Sequence, residues 1–122
     1  DIIRRVLKGN ERKVVYSKCN GHCAYCGCEL AFKDMQVDHV VSLYGHNGAD
    51  DISNMLPACR SCNHRKGTST LEQFRKAVER FPEVLMRDSV TYKNAVRFGL
   101  VEPKPHKIKF YFETLSEGEN GN

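Results

Sequence analysis

Apolar residues open the chain at helical intervals. Ile2, Ile3, Val6, Leu7, Val14, Val15 and Tyr16 predict one or two helices over residues 2–18, interrupted near Gly9-Asn10. Asn20-Gly21-His22 then reads as a turn. Residues 35–41, Met-Gln-Val-Asp-His-Val-Val, are rich in β-branched side chains and follow Lys33-Asp34, so they predict a strand. Residues 44–51 contain Gly45, Asn47 and Gly48 and predict a surface loop, while Asn63 to Lys66 begins a short helix. Beyond Gly67 the period becomes that of an amphipathic helix. Thr70 and Gln73 form a capping-box pattern, Leu71, Phe74, Ala77, Val78 and Phe81 follow on one face, and Pro82 ends the run. A further helix is expected over 88–98, with Gly99 as its stop. Residues 107–113 alternate Ile108, Phe110 and Phe112 with Lys107, Lys109, Tyr111 and Glu113, which predicts a half-buried C-terminal strand, and 116–122 reads as a frayed polar tail. These periodicities assign Phe74, Phe81, Phe98, Phe110 and Phe112 to the core.

At 122 residues the chain suits one domain, 1–122, and a core this small benefits from an additional staple. No apolar stretch approaches the roughly 18 residues of a membrane span, so a membrane partner is not expected. The net charge of +4 permits a polyanionic partner without requiring one. Its distribution says more: residues 1–18 carry Arg4, Arg5, Lys8, Arg12, Lys13 and Lys18 against Asp1 and Glu11. Such a run is a solvated helix face unless a nucleic-acid site is argued independently, in which case it reads as a basic arm.

Four of the six cysteines form two C-x-x-C pairs, Cys23-Ala-Tyr-Cys26 and Cys59-Arg-Ser-Cys62. Two residues between thiolates let each pair turn as a knuckle and present both sulfurs to one ion, so the four predict a tetrahedral zinc site with no position open to water, structural in role. Two disulfides or buried free thiols are the competing reading. A thioredoxin-like redox site fits poorly, because two separate pairs are present without a βαβ pattern. Cys19 and Cys28 remain over, and unpaired thiols suit a reducing cytoplasm.

Between the pairs, Asp38-His39 stands at the end of the predicted strand. Neighbouring strand residues point to opposite faces, so both can serve one site only if the strand ends or bends there. Asn54 lies shortly before Cys59, and Asn63 directly follows Cys62.

Taken in order, Cys23-x-x-Cys26-Gly27, Val37-Asp38-His39-Val40-Val41, Asn54-Met-Leu56, Cys59-x-x-Cys62-Asn63 and Lys66 resemble the zinc-bound HNH endonucleases of phages and bacteria. The match covers residues 19–67, leaving 1–18 as a basic helical arm and 68–115 as an extension. The resemblance implies an α+β fold, a small ββα-metal (His-Me finger) core stapled by the four-cysteine zinc site, with flanking helices and the C-terminal strand. It implies a DNA endonuclease in which Asp38 and Asn63 hold a catalytic Mg2+ or Mn2+, both suited to hard oxygen ligands. His39 would be the general base and Asn54 would pin the loop after it. Many members carry histidine where Asn63 stands, so His64 is the alternative ligand, although the place directly after the knuckle cysteine favours Asn63. Arg60, His64, Arg65 and Lys66 would contact the DNA backbone. One such site cuts one strand at a time, so double-strand cutting would need a homodimer or two encounters. The alternative class is a non-catalytic zinc-ribbon module that grips nucleic acid. Asp38-His39 with Asn54 and Asn63 argues against it, since a binding module has no use for an acid, a base and an amide converging beside the zinc.

Overall fold

A computed structural model describes residues 6–120. Its elements run α1 (Gly9–Ser17), a 3-10 turn (Phe32–Asp34), β1 (Gln36–His39), a second 3-10 turn (Ile52–Asn54), β2 (Met55–Ala58), α2 (Arg60–Lys66), α3 (Leu71–Glu79), α4 (Phe81–Asp88), α5 (Val90–Arg97) and α6 (Tyr111–Asn120). The strands pair antiparallel, with Gln36 opposite Ala58, Val37 opposite Pro57, Asp38 opposite Leu56 and His39 opposite Met55. The chain then enters α2 with one residue between, which completes the expected α+β arrangement of hairpin and helix. Among the described residues no helix is long and apolar enough to cross a membrane.

Two apolar clusters hold this frame. Val15, Leu30, Met35 and Met55 pack α1 against one side of the hairpin, while Cys23, Tyr25, Ala58, Phe74 and Phe110 join the first knuckle to α3 and the C-terminal segment. Cys59 touches both clusters. The knuckle turns because Cys23 N–H donates to Cys28 O (2.9 Å) and Gly27 N–H returns to Cys23 O (3.0 Å). Gly27 sits at φ +79°, and a Cβ there would come within 3.0 Å of the Tyr111 ring, so only glycine meets both demands.

Several helix boundaries differ from the sequence expectation. Residues 1–5, the start of the predicted opening helix, lie outside the described residues. Gly9 begins α1 instead of interrupting a longer helix, and the Glu11 carboxylate accepts the Lys8 N–H (3.1 Å) to cap it. The basic face of α1 is partly structural. Arg12 donates to the carbonyls of Phe32 (3.2 Å) and Met35 (3.1 Å), and Lys18 donates to Met55 O (2.8 Å). The capping box at Thr70 forms as expected. Pro82 does not end the helical region: it lies in the first turn of α4, where its missing N–H costs nothing. The helix expected over 88–98 is α5, opened by Ser89 Oγ accepting Tyr92 N–H (3.1 Å) and stopped by Gly99 at φ +74°.

The predicted C-terminal strand is absent. Ile108 donates its N–H to Glu79 Oε2 (2.9 Å) and Arg75 Nη1 donates to Ile108 O (3.2 Å), so side chains of α3 satisfy this backbone and no strand pairs with it. At Phe110 the Glu113 carboxylate accepts the backbone N–H (2.8 Å) and starts α6, which runs through the expected polar tail to Asn120. Glu113 in turn takes a two-pronged ion pair from Arg75 (2.6 and 2.7 Å), which holds its carboxyl below the usual carboxylate range. Alternation marked the buried side of 108 and 110 correctly but could not supply the partner edge that a strand requires. Of the aromatic residues assigned to the core, Phe74 and Phe110 are buried, Phe81 and Phe112 half-buried, and Phe98 is 80% exposed at the end of α5.

Candidate metal centre and catalytic cleft

The knuckle at 23–26 and the entry to α2 meet beside the hairpin. One Sγ from each of Cys23, Cys26, Cys59 and Cys62 lies within 4.8 Å of all the others. A tetrahedral ion with metal–sulfur bonds of about 2.3 Å sets sulfurs about 3.8 Å apart, and Cys26 Sγ and Cys59 Sγ stand at 3.9 Å. The donor set therefore fits a closed four-thiolate site. Cys59 also caps α2, its sulfur accepting the Cys62 N–H (3.4 Å). Hydrogen bonding between them pulls the Cys23 thiol below its ordinary value and pushes Cys62 above it. Cys19 is buried and Cys28 exposed; neither belongs to the group of four.

Between β1, the loop after it and α2 lies a cleft of about 290 Å³, lined by Asp38, His39, Tyr44, Asn63, His64 and Thr68 among others. β1 ends at His39, which lets Asp38 and His39 border the same space despite their adjacent positions. His39 Nε2 lies 2.9 Å from Asp50 Oδ1. An ionised carboxylate only accepts, so Nε2 donates the proton of this contact, and in the neutral imidazole Nδ1 then carries the lone pair. His39 Nδ1 is buried and has no hydrogen-bond partner among the described residues.

Asn54 pins the loop that follows. Its Oδ1 accepts Val41 N–H (2.9 Å) and its Nδ2 donates to Val41 O and Ala49 O (2.9 Å each), while its own carbonyl accepts Val40 N–H (2.9 Å). Gly48 folds back on the same segment so closely that a Cβ would fall 1.7 Å from Val41 O. The loop therefore returns to the strand end as a closed unit, and Asp50 arrives beside His39.

Asp38 is 4% exposed, with its carboxylate gripped from two directions. The Tyr25 hydroxyl donates to Oδ2, and Lys66 Nζ stands 3.2 Å from Oδ2 and 3.4 Å from Oδ1 while donating to His39 O at 3.1 Å. Burial pushes the Asp38 carboxyl above the usual carboxylate range, opposed by Tyr25 and Lys66. Asn63 Nδ2 donates to Gln36 Oε1 (2.7 Å), which leaves its Oδ1 as the acceptor. Two carboxylate oxygens offer about four lone-pair directions, so Asp38 and Asn63 retain capacity for a hard cation.

Not every expected residue stands where the helix pattern placed it. Arg60, His64 and Arg65 are exposed on α2, with the Arg65 guanidinium 5.0 Å over the Phe81 ring. Lys66 is not a surface contact: it is 1% exposed, the ammonium turned inward to Asp38. The reason is electrostatic, since a buried carboxylate requires a counter-charge and Lys66 is the cation within reach. Asp50, Tyr25 and Gln36 escaped sequence reasoning, although Tyr25 lies inside a knuckle and Gln36 directly precedes the Val37-Asp38-His39 run; Asp50 stands in the loop, away from both.

Removing the ammonium should be costly. Lys66→Met keeps most of the stem but leaves Asp38 without a counter-charge, and without added divalent cation it is expected to lose about 3–5 kcal/mol of stability. The loss should be largest near neutral pH and should shrink as acid protonates Asp38, because a neutral carboxyl needs no counter-charge. Urea unfolding at several pH values checks this; a variant as stable as the parent at neutral pH contradicts it.

Comparison with known proteins agrees with this geometry. The family model for HNH endonuclease matches residues 23–69. A Bacillus subtilis protein named as an SPbeta prophage-derived HNH endonuclease is 37% identical over 82 residues, covering 55% of this chain and 34% of that protein. The CRISPR-associated endonuclease Cas9 of Corynebacterium diphtheriae is 34% identical over 50 residues, 41% of this chain and 5% of its own length. The chain thus spans about a third of the first relative and about a twentieth of the second. In fold it resembles part of the crystal structure of the Type II-C Cas9 enzyme from Actinomyces naeslundii, with a TM-score of 0.50 at 17% identity, covering 84% of this chain and 12% of that one. Residues 23–69, which match the family model for HNH endonuclease, are the part of this chain that brings two cysteine knuckles to one four-sulfur cluster and lines one cleft with Asp38, His39 and Asn63.

Proposed function

We propose that this chain hydrolyses phosphodiester bonds of DNA, with His39 as general base, one divalent cation held by Asp38 and Asn63, and a structural zinc in the four-cysteine cluster. The observation that carries this reading is His39 itself. Its Nε2 is tied to Asp50 and its Nδ1 lacks a protein partner, in a cleft that also contains Asp38 and Asn63.

In the proposed reaction His39 Nδ1 takes a proton from the water that attacks the scissile phosphorus, and Asp50 steadies the imidazolium that results. Asn54 keeps the loop closed so that Asp50 and His39 stay in register. Lys66 and Tyr25 fix the Asp38 carboxylate, and Gln36 orients the Asn63 amide so that its oxygen is available. The cation, when bound, supplies charge stabilisation at the phosphate and at the leaving oxygen. Mg2+ and Mn2+ suit the two oxygen ligands. The knuckle cysteines provide thiolate ligands of the kind zinc prefers, and none of them lines the cleft that holds His39. Arg60, His64 and Arg65 are exposed on α2, with His64 lining the cleft itself, and would take phosphate oxygens of the DNA backbone.

Incubation of the zinc-loaded protein with supercoiled plasmid tests this. Nicked or linear product is expected with Mg2+ or Mn2+, and none when EDTA is in excess. Binding of the plasmid without any cleavage in either cation would instead favour a zinc-ribbon module that grips DNA without cutting.

A further inference from the structure

We propose that Tyr25 is a positioning residue for the Asp38 carboxylate, and that the segment beyond the HNH core acts on the cleavage site through it. This rests on the reading of Asp38 as a cation ligand. Tyr25 is 4% exposed and immediately precedes the knuckle cysteine Cys26. Its hydroxyl donates to Asp38 Oδ2, which leaves that oxygen held from the knuckle side while Lys66 approaches from α2.

The Tyr25 ring is fixed by residues that lie outside the family match at 23–69. Phe74, Phe110 and Phe112 meet it edge-to-face, with centroids 5.4, 5.2 and 6.2 Å away and interplanar angles of 84°, 84° and 88°. The backbone is gripped as well: Tyr111 N–H donates to Tyr25 O (3.1 Å) and Phe112 N–H to Ala24 O (2.9 Å). Arg75 and Glu113 clamp the same segment to α3, and the Arg75 guanidinium lies 4.6 Å over the Phe110 ring. A ring enclosed by three others and held at its own carbonyl has little freedom, so its hydroxyl marks one position in space. Aromatic pairs of this geometry add to the burial of their area. The C-terminal segment therefore holds the knuckle, the knuckle holds Tyr25, and Tyr25 holds one oxygen of Asp38.

Tyr25→Phe deletes only the hydroxyl and keeps the ring packing, so zinc content and melting temperature should stay close to those of the parent. Groups that orient a metal ligand are worth about 10–100-fold in metal affinity. Mn2+ binding to the zinc-loaded full chain, followed by electron paramagnetic resonance, should weaken by a factor in that range in Tyr25→Phe. The Mn2+ dependence of plasmid cleavage should move to higher concentration by the same factor, with the plateau rate largely recovered at saturation. A loss confined to folding would not produce that split.

Phe110→Leu should weaken Mn2+ binding in the parent and add nothing in the Tyr25→Phe background, since both changes act on one contact. Equal Mn2+ affinity for parent and Tyr25→Phe overturns the role of Tyr25, and an undiminished Phe110→Leu effect without the hydroxyl overturns transmission through it. Should Tyr25→Phe fail to hold zinc, Phe110→Leu alone decides, unchanged Mn2+ affinity counting against the proposal. Asp38→Ala must abolish the Mn2+ signal in the parent. A parent that binds Mn2+ at Asp38 but never cuts leaves the positioning role supported and removes the nuclease reading; a parent that does neither overturns both.

Discussion

Stripping the metal from the four-cysteine cluster is expected to unfold the chain, and restoring zinc to refold it. The cluster ties together parts that are distant in sequence and that otherwise meet through one apolar cluster and a few hydrogen bonds. Cys23 and Cys26 come from the first knuckle, Cys59 and Cys62 from the entry to α2, and residues 27–58 form the hairpin and loop between them. Cys59 packs against both apolar clusters, and Cys23 is fully buried in one of them. Without an ion, four sulfurs within 4.8 Å must share protons or repel one another as thiolates. Structural zinc in small domains contributes about 10–16 kcal/mol, against a net stability for a folded domain of about 5–15 kcal/mol. The metal term is thus as large as the whole margin. Chelation with a strong thiophilic chelator, or Cys59→Ser, should abolish most of the helical circular dichroism. Persistence of the full helical signal in protein shown by mass spectrometry to be metal-free would rule this out.

His39→Ala should lower the cleavage rate by about 10²–10⁴-fold, the usual worth of a positioned general base, while zinc content and DNA binding persist. The expectation of a catalytic effect with only a modest structural one follows from its neighbours. Among the described residues the imidazole hydrogen-bonds only Asp50, whose side chain is 24% exposed and can turn to water when the ring is lost. Lys66 bonds the His39 backbone carbonyl, which the substitution leaves in place. Asp50→Asn should act in the same direction but less strongly, because an amide can still meet Nε2 without stabilising the imidazolium. His64→Ala, on the exposed face of α2, should retain the base and show at most weaker substrate binding. Wild-type cleavage by His39→Ala, measured on plasmid under single-turnover conditions, would move the proton acceptor elsewhere.

The helical boundaries show how far periodicity reaches. Thr70 and Gln73 cap α3 as their spacing implies, and Gly99 ends α5, because both effects are made within a few residues. Pro82 misled because the same chemistry that stops one helix also starts another. The extended stretch before α6 misled for a different reason. Alternation reports which side chains turn inward, but only Arg75 and Glu79 of α3 reveal what its backbone bonds to.

The amino-acid sequence by itself determined the knuckle spacing of Cys23, Cys26, Cys59 and Cys62 and the order in which Asp38, His39, Asn54 and Asn63 fall between and beside them, because ligand spacing and strand ending are local properties of the chain. Tertiary structure alone decided the partners. Asp50 reaches His39 only after the loop closes through Asn54 and Gly48, and Tyr25 and Lys66 converge on Asp38 from separate elements. A lysine on a short polar helix reads as a solvated charge; its burial follows from a carboxylate 28 positions away that cannot be desolvated alone.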